Sequence, residues 1–441
     1  MFTTDEFNAK AARLKTFLQQ VADQASQGSG FVKRRSKISS QHFAQVMILG
    51  CLENPNAALN TFCQVSEALG VKVSEAGWHE RINPKAVAFL ADLFQCSLCH
   101  FRQESGFPAE VLKGFDAVQI VDSSLVRLPK HLAQVFPGCR AAGGVAAMKV
   151  QMSWDYRRGQ LNALALTDGK TPDQRCELPE QFATRGSLTL TDLGYFDQER
   201  FHQIAQQGAF FISRLHPQVG LYCHKDAPMA LDLSQLLSSR AALEGEFEAY
   251  AGSKRRVAVR VLYRRLPEAM AQARRRKAQA NAKRRGTTCS ERLLVLLDWA
   301  LFMTNVPAER LSLEQVMTVY RVRWQVELIF KLWKSYLKVD EMGAWRLERV
   351  LCQFYSRLLG FVIFQWFAAP YRFGDAGELS GFKAFKVWQH FVHDLILVID
   401  DHWRDLAALL QQIERHFQRF ALKTKRQKSP STFALLVQVG A

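Results

Sequence analysis

The stretch from residue 117 to residue 215 limits the folds open to this chain more than any other, because its apolar pattern changes between the period of a strand and that of a helix. Three strand-like segments come first, and helix, strand, helix and strand follow. We predict these elements, in chain order, at Ala117–Val121, Val145–Tyr156, Leu161–Thr167, Pro172–Phe182, Gly186–Thr191, Gln198–Gln207 and Ala209–Leu215. The short turn after the second strand predicts an antiparallel meander, whereas the later strands need helical crossovers.

This order of elements is typical of a ribonuclease-H-like mixed sheet, in which the first and fourth strands are neighbours. An aspartate stands at the predicted end of each of these strands, Asp122 and Asp192. Aspartate often begins a turn after a strand, so either residue alone could be an ordinary turn residue. Two carboxylates on neighbouring strands would converge, and both are therefore candidate site residues.

A second informative stretch, Tyr320–Lys334, contains neither Gly nor Pro and reads as one helix buried over most of its circumference. At about 100° per residue, Tyr320, Arg323, Glu327 and Lys334 lie on one stripe of that helix, within roughly 60° of one another. The stripe either faces water with favourable charge pairs or has a functional role.

The spacing of these four residues resembles the Y-x2-R-x3-E-x6-K signature of the insertion-sequence-four family of DDE transposases, and the resemblance covers about residues 115 to 345. It implies that Glu327 is the last of three catalytic, metal-binding carboxylates, with Asp122 and Asp192 as the first two. Three carboxylates suit two hard divalent cations, most simply Mg²⁺, for which Mn²⁺ can substitute. Two such ions activate water and stabilise the attacking and leaving oxygens at a phosphodiester.

The resemblance further implies cut-and-paste transposition of double-stranded DNA. The enzyme would bind the transposon ends, hydrolyse one strand to release a 3′-hydroxyl, and let that hydroxyl attack through a hairpin and later in target DNA. Tyr320, Arg323 and Lys334 would contact phosphates of the strand end. Holding two ends together implies a homodimer on DNA. A host nuclease or resolvase of the same fold, and a transposase-derived DNA-binding protein without activity, are the alternatives.

Residues 217–304 lie between two parts of the predicted core, where the family carries a mainly β insertion. Strand-like segments at Gly245–Tyr250, Arg255–Tyr263 and Leu293–Thr304 flank a predicted helix, Leu266–Arg285. Like charges on that helix repel one another, so we expect it to contact phosphates; a partly disordered arm is the alternative. The candidate DNA-binding cations of this helix are Arg274, Arg275, Arg276, Lys283, Arg284 and Arg285.

Trp299, in the last of these strands, stands where related transposases stack a tryptophan on a base flipped out of the transposon end. An indole suits that role because its flat face stacks on any base. A tryptophan in a strand is also a common core residue, and that alternative stays open.

The two ends of the chain are predicted to be helical. In the N-terminal part, Ala57–Leu69 and Ser74–Ile82 have the rhythm of a helix-turn-helix, and three residues of its turn and second helix could meet DNA: Lys72, His79 and Arg81. An ordinary bundle with a basic surface is the alternative. In the C-terminal part, apolar residues from Trp403 to Phe420 recur at helical spacing. They would either form a subunit contact or pack on their own domain.

We therefore predict an α/β multidomain protein in four parts: an N-terminal helical DNA-binding domain (1–105), a ribonuclease-H-like core (106–216 and 305–345), the β-rich insertion (217–304) and a helical C-terminal domain (346–441). A formal net charge of +17 over 441 residues indicates a polyanionic partner. The N-terminus does not resemble a signal peptide, and the apolar run Leu358–Pro370 is too short to span a bilayer. We expect a cytoplasmic, nucleoid-associated protein without a membrane partner.

Other cofactors are not indicated. The sequence has no phosphate-binding Gly-rich loop ending in Lys-Ser/Thr, so we expect no nucleotide cofactor. Cys96-Ser-Leu-Cys99-His100 matches a haem-attachment pattern, but it lies in an apolar run, Ala86 to Phe101, that reads as a core helix.

Overall fold

The computed structural model describes residues 3–32, 36–103, 109–139, 145–374, 377–399, 403–424 and 430–440. Its N-terminal part is helical, as predicted, and the predicted helix-turn-helix is the pair α4 and α5. Thr3 and Glu6 form a capping box that begins the first helix, and Ser74 caps α5. The helices are α1 Thr4–Thr16, α2 Ala22–Ser29, α3 Ser40–Glu53, α4 Leu59–Ala68, α5 Glu75–Arg81 and α6 Pro84–His100, with a π-helical turn at Phe17–Val21.

A nine-stranded mixed sheet occupies the middle of the chain, in the order β3-β2-β1-β4-β5-β9-β8-β7-β6. The first three strands form an antiparallel meander, and β4 and β5 continue the sheet parallel to β1. The predicted meander and the predicted contact between the first and fourth strands are both confirmed. The strands are β1 Val118–Arg127, β2 Ala147–Asp155, β3 Gln160–Asp168, β4 Leu188–Thr191, β5 Phe210–Arg214, β6 Leu221–Tyr222, β7 Glu244–Ala251, β8 Val257–Arg265 and β9 Trp299–Thr304.

Helices and short 3-10 turns connect these strands. The helices are α7 Glu110–Lys113, α8 Leu178–Gln181, α9 Gln198–Gln206, α10 Leu233–Ser239, α11 Glu268–Arg284, α12 Glu291–Leu297, α13 Leu313–Arg321 and α14 Trp324–Tyr336; the 3-10 turns are Lys130–Gln134, Asp173–Arg175 and Leu193–Tyr195. The single helix predicted at Pro172–Phe182 is wrong, because the chain is extended at Cys176 between two helical turns. Arg200 donates to the carbonyls of Gln174 and Cys176 and so replaces helical hydrogen bonds there.

The strands of residues 217–304 extend the central sheet, since β9 pairs with both β5 and β8. The strand predicted at Leu293–Thr304 is wrong in its first half and right in its second half. Ser290 accepts a hydrogen bond from the backbone N–H of Leu293 and caps α12, so the strand begins only at Trp299. Three helices, α10 to α12, accompany the strands of this segment.

The C-terminal part is again helical, as predicted: α15 Leu347–Ala368, α16 Gly381–His390, α17 Val392–Val398, α18 Trp403–Phe420 and α19 Thr432–Gly440, with a 3-10 turn Ala369–Tyr371 and a small hairpin of β10 Phe373–Gly374 and β11 Gly377–Glu378. The apolar run noted at Leu358–Pro370 is part of α15. With the turn that follows it, this helix spans 25 residues and is long enough to cross a membrane, so the prediction that the apolar run is too short is corrected. However, 89% of its most apolar window is buried inside the protein. It is the central helix of the core.

The amphipathic face predicted between Trp403 and Phe420 packs inside the chain. Leu406, Leu410 and Phe417 on α18 are fully buried, and the helix lies against α1, α16 and α17. The side chain of Trp403 lies outside the described residues. This face therefore packs within its own chain, which was one of the two predicted alternatives, and it is not available for a subunit contact.

One apolar core joins the N-terminal helices, one face of the sheet and the C-terminal helices. Within it, α15 packs against both α3 and α6. Arg357 of α15, which is 1% exposed, donates to the carbonyls of Lys338 and Pro55 and so ties the segment after α14 to the N-terminal helices.

Candidate active site

A cavity of about 420 Å³ opens where β1, β4 and α14 meet. Five of the residues predicted from the sequence lie on its wall, and they come from three separate stretches of the chain. The lining residues are Asp122, Ser123, Asp192, Arg323, Glu327, Phe330, Lys331, Lys334 and Ser335. The cavity therefore combines carboxylates with three cations.

The register of two parallel strands brings the aspartates together. Val121 of β1 is paired with Thr191 of β4, so Asp122 and Asp192 are the next residues on adjacent strands. Asp192 directly follows β4, as predicted, and its Oδ1 accepts a hydrogen bond of 2.7 Å from the backbone N–H of Leu193.

Asp122 does not end its strand, which corrects the prediction. The strand continues to Arg127 because Asp122 and the residues after it pair with β2, with Asp122 opposite Met152. Burial raises the pKa of Asp122 to about 6, against the opposing effects of the hydrogen bond from the Ser123 N–H and of the charge of Arg323. The negative charges of Asp192 and Glu327 contribute smaller parts of this rise in pKa.

The predicted continuous helix Tyr320–Lys334 is broken into α13 and α14. At the junction, Val322 and Arg323 donate their backbone N–H groups to the carbonyls of Val319 and Tyr320, which are i to i−3 bonds. Such bonds tighten the chain into a 3-10 turn, so α13 ends at Arg321 and α14 begins at Trp324.

Arg323 joins two of the three carboxylates. Its Nη1 lies 2.9 Å from Oδ2 of Asp122, and its Nη2 lies 2.9 Å from Oε1 of Glu327. Its side chain is only 12% exposed, so these ion pairs are largely shielded from water. The guanidinium compensates the carboxylate charge that converges on the cavity.

Tyr320 lies behind the cavity rather than on its wall. The side chain is buried, and its hydroxyl donates to the carbonyl of Thr191 at 3.2 Å. Thr191 immediately precedes Asp192, so this hydrogen bond fixes the end of β4. The guanidinium of Arg214 lies 6.0 Å from the centre of the Tyr320 ring.

The donor chemistry of the three acids fits a hard divalent cation, since all their ligand atoms are carboxylate oxygens. Among the described residues, no three His, Cys, Asp or Glu side chains are close enough together to hold one ion. The guanidinium of Arg323 pairs instead with one oxygen of Asp122 and one oxygen of Glu327.

The predicted DNA-binding cations of α11 fall into two groups. Arg274 donates to the carbonyl of Trp299 at 3.0 Å, and Arg275 forms ion pairs with Glu268 and Asp298. These two residues are half-buried and serve the fold. The other four are exposed, and within the described part of the chain they form no ion pair or side-chain hydrogen bond: Arg276, Lys283, Arg284 and Arg285.

Trp299 belongs to the core beneath the insertion strands. It is 6% exposed, and its ring meets Tyr263 edge to face with 5.7 Å between centroids. Neither face of the indole is open to a DNA base in this structure, so the stacking role expected for it is not supported. Trp299 has the position of an ordinary core tryptophan, which was the alternative interpretation.

The residues singled out in the predicted helix-turn-helix differ in accessibility. Lys72 and His79 are exposed. Arg81 is half-buried, because its guanidinium lies 4.2 Å from the centre of the Phe31 ring and donates to the carbonyl of Ile38 at 3.3 Å. Only the first two residues present their side chains to a partner.

Sequence reasoning missed part of the cavity wall. Lys331 lies one helical turn after Glu327 and three residues before Lys334, so helical spacing alone could have placed it on the same face. Ser123 donates to Asp173 at 3.0 Å, and Lys149 contacts the same carboxylate oxygen at 3.0 Å. No spacing rule links Asp173 to Ser123 or Lys149, because these contacts depend on the tertiary fold.

Comparison with known proteins identifies the class to which this fold and site belong. Residues 113–363 match the family described as "Transposase DDE domain", which is more than half of the chain. The chain therefore belongs to the DDE transposases, and within them to the insertion-sequence-four type.

The curated relatives agree with this assignment along almost the whole chain. The transposase of insertion sequence element IS231B from Bacillus thuringiensis subsp. berliner is 29% identical over 449 residues, covering 96% of this chain and 92% of the relative. The transposase of IS1151 from Clostridium perfringens is 24% identical over 433 residues, covering 92% and 91%. Among solved structures, a piggyBac transposase synaptic complex with hairpin DNA aligns with a TM-score of 0.45 at 9% identity, over 96% of this chain and 87% of that one.

Proposed function

We propose that this transposase moves an insertion sequence by cutting DNA at its ends and joining the freed 3′-hydroxyls to target DNA, with Asp122, Asp192 and Glu327 as the catalytic carboxylates. The observation that carries the proposal is the shared cavity, in which two aspartates, each directly after the paired residues Val121 of β1 and Thr191 of β4, meet the glutamate of α14. The strand order β3-β2-β1-β4-β5, with its antiparallel meander and parallel continuation, supports a ribonuclease-H-like core.

The three carboxylates would hold Mg²⁺ or Mn²⁺ ions. When bound, such ions supply the positive charge that activates a water or 3′-hydroxyl and stabilises the leaving oxygen. The remaining residues have roles that follow from their positions. Lys331 and Lys334 line the cavity and would neutralise the phosphates of the bound strand. Tyr320 would position Asp192 through the carbonyl of Thr191.

Arg323 would act in two ways. Without cations it neutralises Asp122 and Glu327 through its two ion pairs. Once cations take over that task, its planar guanidinium is free to hold two oxygens of a DNA phosphate. The same side chain would thereby change partners from the enzyme to its substrate.

The partner that we propose is double-stranded DNA, first the transposon ends and then the target. The four exposed cations of α11 and its C-cap, together with Lys72 between α4 and α5 and His79 on α5, are the proposed contacts outside the cavity. Two ends must be held together for one insertion, and we propose a homodimer on DNA. No nucleotide cofactor is part of this scheme, and the protein would act where the chromosome is, at the nucleoid.

Strand cleavage of a supercoiled plasmid that carries the element's own ends tests the proposal. We expect double-strand cuts at the ends with Mg²⁺ and none with EDTA. Cutting should be lost in Asp122→Asn, Asp192→Asn and Glu327→Gln, whereas gel-shift binding of the ends should persist. Asp92→Asn, on the exposed side of α6, is the matched control and should cut normally.

The same assay separates the alternatives. Full cutting by all three carboxylate variants would refute the assignment of the site. Cutting without regard to the ends would favour a host nuclease or resolvase of the same fold. Binding of the ends without any cutting by the wild type would favour a DNA-binding protein derived from a transposase.

A further inference from the structure

Asp173 is an acid that contacts the chain shortly after each of the two aspartates of the cavity. Its Oδ1 accepts a hydrogen bond of 3.0 Å from the hydroxyl of Ser123, the residue that follows Asp122. Its Oδ2 lies against Gly194, since a Cβ built on that glycine would be 3.2 Å from this oxygen. Gly194 is the second residue after Asp192. One carboxylate therefore touches both of the segments that leave the cavity.

These contacts reach the backbone groups that orient the two aspartates. The N–H of Ser123 donates to Oδ1 of Asp122 at 2.8 Å. The N–H of Leu193 donates to Oδ1 of Asp192 at 2.7 Å. Asp173 therefore holds the residue that supplies the first N–H, and it touches the neighbour of the residue that supplies the second. A shift of either segment would turn the carboxylate that is fixed there.

Buried side chains hold together the two 3-10 turns that meet at this carboxylate. Arg200 is 3% exposed, and it donates to the carbonyl of Tyr195 at 2.7 Å and to that of Gln174 at 2.9 Å. The hydroxyl of Tyr195 donates to Gln151 on β2. In the register of the sheet, Gln151 lies opposite Ser123. The two turns and the first two strands thus form one connected framework around the aspartates.

Lys149 of β2 compensates the charge of this additional acid. Its Nζ lies 3.0 Å from Oδ1 of Asp173 and donates to the carbonyl of Thr171 at 2.5 Å. The lysine is only 9% exposed, so the ion pair is shielded from water on its side. Asp173 therefore adds no net negative charge beside the site. It is also not one of the residues that line the cavity, so it would act through the residues that it contacts.

We propose that Asp173 is a positioning residue that orients Asp122 and Asp192 for divalent cations. It acts through the hydroxyl of Ser123 and through its contact with Gly194. Side chains that hold metal ligands in place contribute to metal affinity, and their loss typically weakens binding by about 10–100-fold. This inference rests on the proposed function, because it takes the two aspartates as metal ligands.

Binding of Mn²⁺ to the full-length protein without DNA tests the positioning role. Electron paramagnetic resonance measures the free Mn²⁺ in such a titration. Asp173→Ala should weaken Mn²⁺ binding about tenfold or more. Asp173→Asn should retain most of the affinity, because its side-chain carbonyl still accepts from Ser123. The same Asn variant should nevertheless melt at a lower temperature, because Lys149 is left without a counter-charge. A residue that only supports the fold would not separate metal affinity from stability in this way.

A double-mutant cycle tests the path through the serine hydroxyl. Ser123→Ala removes the same hydrogen bond as Asp173→Ala, so the two losses of Mn²⁺ affinity should be less than additive in the double variant. Fully additive losses would show that the two side chains act independently, and they would overturn the proposed path.

Asp155 offers a matched control on strand β2. It is a buried acid that pairs with Arg158 at 2.7 Å, and it does not line the cavity. Asp155→Ala should lower the melting temperature and leave the Mn²⁺ affinity unchanged. An equal loss of affinity in Asp155→Ala and Asp173→Ala would show a general effect of destabilisation and would overturn the positioning role.

The outcomes also separate this inference from the proposed function. If Asp122→Asn binds Mn²⁺ as the wild type does, the proposed metal site fails and the positioning role fails with it. Mn²⁺ binding that depends on Asp122 but not on Asp173 would refute the positioning role alone. Weakened Mn²⁺ binding by Asp173→Ala, in a protein that cuts no DNA, would leave the positioning role standing while the proposed activity fails.

Discussion

At the scale of single residues, charge compensation decides how the candidate site is arranged. Asp122, Asp192 and Glu327 converge in a cavity where Asp122 is mostly buried, and like charges repel strongly in such a place. Arg323 relieves the repulsion by pairing with Asp122 and Glu327. A residue predicted from the sequence as a DNA contact therefore also has a role in the protein without DNA.

Replacement of Arg323 by Gln should therefore affect the site differently in the absence and in the presence of divalent cations. In EDTA the variant should lose roughly 1–3 kcal/mol of folding free energy, because two partly buried carboxylates lose a charged hydrogen-bond donor. Mg²⁺ should then raise its melting temperature more than that of the wild type, since the ions no longer compete with the guanidinium. Differential scanning calorimetry with EDTA and with Mg²⁺ measures both effects.

Arg214→Gln is the matched control for that experiment, because Arg214 is an exposed cation near Tyr320. It should leave the response to Mg²⁺ at the wild-type value. Equal Mg²⁺ shifts for Arg323→Gln and the wild type would show that the guanidinium does not occupy the place of the ions.

At the scale of elements, local pattern predicted the order of strands and helices, but it did not predict where two of them stop. The strand with Asp122 continues through two serines because β2 supplies partners for them, and that partner is 30 or so residues away in sequence. The break before α14 falls at Val322 and Arg323, which keep helical backbone angles. No Gly or Pro marks it, so tertiary contacts of Tyr320 and Arg323 decide its position.

The helix α11 illustrates how charge alone misleads. Six cations were grouped by sequence, yet the structure uses Arg274 and Arg275 for contacts within the protein. The same holds for the aromatic residue Trp299. The sequence suggested a contact with a DNA base, whereas in the structure the ring packs against Tyr263 of another strand. Sequence spacing finds residues that share one helix face, whereas burial by a distant strand becomes visible only in the fold.

Glutamine substitutions on α11 should therefore separate DNA contact from stability. Replacing the four exposed cations together should reduce the slope of log affinity against log salt by up to about 4, with no change in melting temperature. Arg275→Gln should instead lower the free energy of unfolding by about 1 kcal/mol, because Asp298 and Glu268 lose their partner, and should leave the slope unchanged. Salt titrations of end binding measure the slope, and thermal melts measure the stability. A fourfold variant that is destabilised with an unchanged slope, and an Arg275→Gln variant with a reduced slope and unchanged stability, would contradict this division of the cations.

At the scale of the whole molecule, the two helical ends of the chain are one packed unit. The sequence divides them into separate domains because more than two hundred residues lie between them. In the structure α15 fills the space between α3 and α6, α1 packs on α18, and both ends share a core with the sheet. Arg357 and Gln353 of α15 reinforce the contact by donating to carbonyls of Pro55 and Ala57.

This packing predicts that residues 1–103 do not fold as an independent domain. Without α15, the apolar faces of α3 and α6 are exposed, and the fully buried Phe43, Met47 and Phe94 belong to a core that extends into the missing part of the chain. The isolated fragment should show no cooperative thermal transition by circular dichroism and little dispersion in its amide NMR spectrum. In the full-length protein, amides of α3 and α6 should exchange as slowly as those of β1, because a shared core unfolds as one unit. A fragment that melts cooperatively and binds the transposon ends by itself would show that the N-terminal helices are a separate DNA-binding domain after all.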